Sequence, residues 1–227
     1  MAPTGKTWRR GVGVAIAVAT AAVLALGTAS VATTVGTTPE AAPSRSAVVT
    51  KRAFHDAMRK LWIDHVTWTR LFIVSFVGDL PDLQATTDRL LQNQTDIGDA
   101  VKPFYGRAAG NALTDLLEEH ILTAADLLAA AKAGDADALE QATAAWYDNA
   151  RRIARFLHDA NPKNWPLAEM KSMMTEHLDL TLQEAVAHLG GDYVASVEAF
   201  DAAEVEIIDM ADMLSKGIIK QFPNRFA

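Results

Sequence analysis

Three stretches of this chain repeat one short pattern: two large apolar residues, any residue, an acid, a histidine and an aliphatic residue. They read Leu61-Trp62-Ile63-Asp64-His65-Val66, Leu116-Leu117-Glu118-Glu119-His120-Ile121 and Met173-Met174-Thr175-Glu176-His177-Leu178. Thr69, Ala124 and Thr181 follow four residues after the histidines, which are 55 and 57 residues apart. That period is the length of a long helical hairpin, so the repeat constrains the architecture before any local assignment is made.

The breakers between the repeats divide residues 50–227 into six expected helices. Helix one runs from about Thr50 to Val77 and stops at Gly78-Asp79-Leu80-Pro81. Helix two starts near Asp82 and ends before Pro103; helix three follows Gly106 and ends at Gly134. Helix four has Asp135 as its N-cap and ends around Asn161-Pro162. Helix five starts at Pro166 and ends at Gly190-Gly191, and helix six runs from Asp192 to Gln221. No segment alternates with a period of two, so no sheet is expected. The expectation is all-α: a six-helix bundle of three antiparallel hairpins.

Apolar spacing places the histidines inside such a bundle. Phe54, Met58, Leu61, His65, Trp68, Phe72 and Phe76 follow three-and-four steps, as do Leu113, Leu117, His120, Ala124, Leu127 and Ala131. His177 continues Met170 and Met173. From each histidine to the glycine ending its helix is 13, 14 and 13 residues (Gly78, Gly134, Gly190). All three therefore lie about 20 Å from the same end at 1.5 Å rise per residue. Asp96, Asn149 and Glu206 each fall 14 residues past their helix starts, with Asp209 one turn further. A polar layer through an apolar bundle is expected.

Such a layer has a chemical and a structural reading. As a metal site, His65, His120 and His177 supply imidazoles and a carboxylate from Glu206, Asp209 or Asp96 completes the sphere, a donor set suited to zinc, copper or iron. Met170, Met173, Met174, Met210 and Met213 add thioethers that favour copper(I), although methionine at helical spacing is also ordinary core filler. Alternatively the histidines bond within the layer and set helix register, or they line a pocket for a small organic ligand. Asp64, Glu119 and Glu176 neighbour the histidines in sequence and splay about 100° away. His55, His158 and His188 share no layer and are expected on the surface.

The first 49 residues stand outside this fold. Lys6, Arg9 and Arg10 precede an uncharged apolar run over 11–27, with small-x-small sites ending at Ala29 and Ala32. Residues 1–29 are a signal peptide or, uncleaved, a single membrane anchor. Residues 30–49 form a Thr/Ala/Ser/Pro tether, and 50–227 the helical domain, exported and either secreted or membrane-anchored. Beyond residue 45 the chain carries 17 basic and 27 acidic residues, a net of −10. That charge disfavours nucleic acid and suits cations or a basic partner of the cell envelope. With no cysteine, the core must stabilise the domain without disulfides, and thiolate metal sites are excluded. Phosphate-loop, nucleophile-elbow and His-Glu-x-x-His motifs are absent, so a non-enzymatic role is favoured. The alternatives are a metal-dependent hydrolase, with an open position activating water, or a purely structural or interaction module of the cell envelope.

Leu91-Gln92-Asn93-Gln94-Thr95-Asp96-Ile97-Gly98, Lys102-Pro103-Phe104-Tyr105-Gly106, Gly217-Ile218-Ile219-Lys220-Gln221-Phe222-Pro223 and the first histidine segment through Arg70 make the chain resemble a family of small bacterial all-helical proteins. Its members carry automated names such as glycosyltransferase or acetylglutamate kinase. The resemblance implies the all-helical fold and assigns no residue a role; neither a nucleotide-sugar motif nor a Gly-rich kinase loop occurs here.

Overall fold

The computed structural model describes residues 49–227; the leader and most of the tether lie outside the described residues. Five α-helices and one short 3-10 turn form the domain: α1 (Lys51–Val77), α2 (Leu83–Ala133), α3 (Ala136–Ala160), α4 (Leu167–Leu189), α5 (Tyr193–Gln221) and the 3-10 turn Pro223–Arg225. No strand occurs among the described residues, and none of these helices is long and apolar enough to cross a membrane.

The helix count is five, not six, because the second and third expected helices are joined. Instead of a loop over 103–106, the helix continues past Pro103 and is interrupted at Gly106 alone (φ 85°, ψ 166°). The interruption is sharp. Gly98 and Gly110 would lie about 18 Å apart along a straight helix, yet a Cβ built on Gly110 would come within 2.7 Å of the Gly98 carbonyl oxygen. The two arms of α2 therefore fold back on each other, and only glycines admit that approach. The break and the reversal at this place were expected from the sequence; what Pro and Gly do not reveal is that a single residue suffices for it.

Helix ends follow from their caps. Thr50 Oγ1 accepts from Ala53 N, Asp135 Oδ1 from Ala138 N and Asp192 Oδ1 from Ala195 N, at 3.0–3.1 Å. At the other ends, Asp79, Gly134 and Gly191 adopt positive φ. Each closes the same paired backbone motif: Asp79 N to Phe76 O with Leu80 N to Ser75 O, Gly134 N to Ala131 O with Asp135 N to Ala130 O, and Gly191 N to His188 O with Asp192 N to Ala187 O. Counted to these residues, His65, His120 and His177 are each 14 positions from the end of their helix.

α1 packs against α2, α4 and α5, α3 against α2 and α4, and α4 against α5. The larger apolar cluster includes Trp62, Val66, Leu117, Trp146, Leu178 and Ile207. A smaller one, Phe72, Ile73, Leu90, Ile121, Leu128 and Ala185, lies towards the end marked by the positive-φ residues.

Candidate functional site

The three repeat histidines meet. His65, His120 and His177 are 2 %, 3 % and 4 % exposed. Their ring centres are 5.6 Å (65–177), 6.0 Å (120–177) and 6.5 Å (65–120) apart. Each is carried in by the apolar stripe of its helix, and equal distances from the helix ends place all three at one depth. Trp62 meets the His65 ring edge-on at 5.8 Å, and Trp146 stacks on His120 at 5.5 Å.

A second repeat supports the first. Asn93, Asn149 and Glu206 are 56 and 57 residues apart and all buried. Asn149 Nδ2 donates to Leu116 O, four residues before His120; Asn93 Nδ2 donates to Leu61 O, four residues before His65, both at 3.0 Å. With its amide nitrogen committed as donor, Asn149 presents Oδ1 to His120 Nδ1 at 3.0 Å. The proton of His120 is thereby held on Nδ1, which leaves the lone pair on Nε2. Glu206 occupies the equivalent place beside His177, its Oε2 3.3 Å from Nδ1 but without the alignment of a hydrogen bond.

The layer is incompletely satisfied. His65 Nδ1, His177 Nδ1, Gln94 Oε1 and both carboxylate oxygens of Glu206 are buried with no hydrogen-bond partner. Gln94 Nε2 is spent on Leu90 O and Asn93 Oδ1. Burial, reinforced by the neighbouring imidazoles, holds the His65 pKa well below its ordinary value. The same causes push His120 down to about 3. Both rings are neutral at physiological pH.

The predicted layer members divide. Asn149 and Glu206 are in it. Asp96 is not: it is half-buried, accepts from Gln92 and lies 3.8 Å from Arg89. Asp209 is exposed, close enough to Arg59 to raise the pKa of that guanidinium, and does not join the histidines. Asn93 and Gln94 take the place expected of Asp96. Their signal was present, since Leu90, Gln94, Ile97 and Val101 make three-and-four steps. The splayed acids behave as expected: Asp64 pairs with Lys60, Glu119 reaches across to Arg152 of α3, and Glu176 is exposed. His55, His158 and His188 are only partly exposed. His55 pairs with Asp212, His158 bonds Trp165 O, and His188 lies against Ser196. Met170, Met174 and Met210 are buried in the main core, with Met173 and Met213 packed on it.

Rings bound through nitrogen to one ion at about 2.0–2.1 Å have centres about 5.2 Å apart in a tetrahedral sphere. The observed separations of 5.6, 6.0 and 6.5 Å are all wider, so the rings would have to close in to share one ion. Among the described residues, no group of three or more His, Asp or Glu side chains is placed so that it could hold a metal ion. No family model, curated protein or solved structure matches the chain.

Proposed function

We propose that this is an exported, non-enzymatic helical-bundle protein whose histidine layer binds one transition-metal ion. His65, His120 and His177 would be the ligands, and zinc, copper or iron the suitable ions. The observation that carries this reading is the convergence of three buried imidazoles, one with its Nε2 lone pair set by Asn149. Metal-ligating histidines characteristically donate their other N–H to a carbonyl or carboxylate, which is the relation Asn149 has to His120. Glu206, facing His177 Nδ1, fits better as that ring's orienting carboxylate and as charge compensation than as a direct ligand. A register device would favour a fully bonded layer; here both Glu206 carboxylate oxygens are left unpaired.

Burial of the ligands supports a non-enzymatic role, because no substrate of more than a few atoms reaches rings that are 2–4 % exposed. Export rests on the basic and apolar leader, and the acidic surface suits a cationic cargo or a basic envelope partner. The decisive experiment is elemental analysis and calorimetric titration of protein purified without a polyhistidine tag. One ion per chain is expected after dialysis, with a rise in Tm on loading. Single His65→Gln, His120→Gln and His177→Gln changes should each abolish most binding. Absence of a metal-dependent Tm shift in the wild type, or binding that survives all three changes, overturns the reading.

A further inference from the structure

The negative charge of the domain sits on one hairpin. Residues 172–215, which span most of α4 and α5, hold ten acids and neither a lysine nor an arginine. The remainder of the domain, 46–171 and 216–227, holds 17 acids and 17 lysines and arginines. The whole net charge of −10 therefore belongs to that stretch. Some of its acids are engaged: Glu184 by Arg70, Asp212 by Arg59, Asp179 by Tyr147, and Glu206 within the histidine layer. Glu176, Asp192, Glu198, Asp201 and Glu204 are exposed or half-exposed, and none forms an ion pair among the described residues.

Exposed apolar side chains concentrate on the same hairpin. Of the nine large apolar side chains exposed among the described residues, Val186, Tyr193, Val194, Val197 and Val205 lie within it. Val194, Val197, Asp201 and Val205 follow three-and-four steps along the outward face of α5, opposite the buried stripe of Ala199, Ala203, Ile207 and Met210. Beside them a groove of about 500 Å³ runs between the two helices. It is lined by Val186 and Ala187 from α4 and by Ala195, Glu198, Ala199 and Ala202 from α5. The alanines let another backbone come close.

Charge and apolar surface together restrict the occupant. Clustered exposed apolar residues rimmed by polar ones mark an interaction surface. An anionic lipid surface or a nucleic acid is repelled, and so is a second copy presenting the same face. The groove is bounded by helices, whose backbone groups are already paired, so no strand can add to it. A helix with lysines and arginines flanking an apolar stripe complements both features.

We propose that the α4–α5 hairpin docks a basic amphipathic helix of a partner protein, its apolar stripe along Val186, Val194 and Val205 and its cations over Glu198 and Asp201. Within the reading above this rests only on the basic partner, and it stands whether or not the histidine layer binds metal.

The full chain is titrated with a helical peptide of leucine and lysine at three-and-four spacing, about 18 residues or five turns long. A leucine–glutamate counterpart and a scrambled leucine–lysine sequence serve as controls. Only the first should bind, more weakly as salt rises, with its largest amide shifts within residues 186–205. Val194→Ser with Val205→Ser should weaken binding about tenfold by removing two buried apolar contacts. Glu198→Gln with Asp201→Asn should weaken it about fivefold and flatten the salt dependence. Asp137→Asn with Glu140→Gln removes as many charges from α3 and should change nothing. All six positions are exposed, so the fold is not at stake. Equal losses from the α3 and α5 charge variants, or equal binding of the scrambled peptide, would mean charge attraction without a site and overturn the proposal. Binding that ignores the loss of both valines overturns it too, as does no binding at all. A dimer of the full chain that the valine changes dissociate would give the face to a second copy instead. Metal binding should be the same in every variant, so failure of the metal reading leaves this test intact.

Discussion

Asn149 fixes the tautomer of His120: its Nδ2 donates to Leu116 O and its Oδ1 accepts from His120 Nδ1, each at 3.0 Å, within a layer where Asn149 itself has no exposed surface. One side chain thus joins α3 to the second arm of α2 and sets which nitrogen of a buried imidazole carries the lone pair.

Asn149→Ala leaves a buried N–H and a buried carbonyl unpaired. It is expected to destabilise the metal-free protein by about 1–3 kcal/mol, read from the urea midpoint at constant m. With metal, affinity should fall by about 10–100-fold, the range for removing a ligand's hydrogen-bond partner. A loss of stability with unchanged metal affinity would separate Asn149 from the site.

Glu206→Gln should have opposite effects on the two forms. Both carboxylate oxygens are buried without hydrogen-bond partners, so the neutral amide is expected to stabilise the metal-free domain. Loss of the compensating charge should weaken metal binding. Thermal melts of the two proteins with and without metal check both signs.

The metal-free protein should lose stability in mild acid. The folded pKa values of His65 and His120 are lowered, so below about pH 6.5 the unfolded chain binds protons that the native chain refuses. Stability is fully present above pH 6.5 and falls as pH drops towards the folded values, at roughly 1.4 kcal/mol per pH unit for each ring. Urea midpoints at pH 7, 5.5 and 4.5 test this. His120→Gln should flatten the slope.

Glu184 supplies the reverse dependence. It is 2 % exposed, and its Oε1 accepts from Arg70 Nη1 at 2.8 Å. Burial outweighs that guanidinium and pushes the carboxyl up to about 7. Its stabilisation is complete below the unfolded value of 4.5 and is lost as pH rises through about 7. The full excursion is about 3 kcal/mol. Glu184→Gln should therefore be more stable than wild type at pH 8 and lose that advantage at pH 5.

At the fold-back of α2, Gly98→Ala and Gly110→Ala place a Cβ against the opposite arm and should each cost about 1–3 kcal/mol through overpacking. Gly106→Ala meets no neighbour within 4 Å, yet holds φ at 85°, so its cost, about 1–3 kcal/mol, is backbone strain alone. Crystal structures of the variants distinguish the two: displaced arms in the former, an altered backbone at one residue in the latter.

The depth and face of each histidine were legible in the sequence, because 1.5 Å of rise and 100° of turn per residue are local properties of a helix. So were the ends of α1, α3, α4 and α5, whose caps are chosen by residues within one turn. The exchange of Asp96 for Asn93 came from counting distance along the axis without checking the face. Three positions shift depth by about 4.5 Å and rotate the side chain by about 60°, out of the layer. Tertiary structure alone decided that α2 reverses at a single residue and that three rings from three segments meet at 5.6–6.5 Å. Those distances are set by how bulky side chains on different helices interlock, a relation between residues far apart in the chain that no local period encodes.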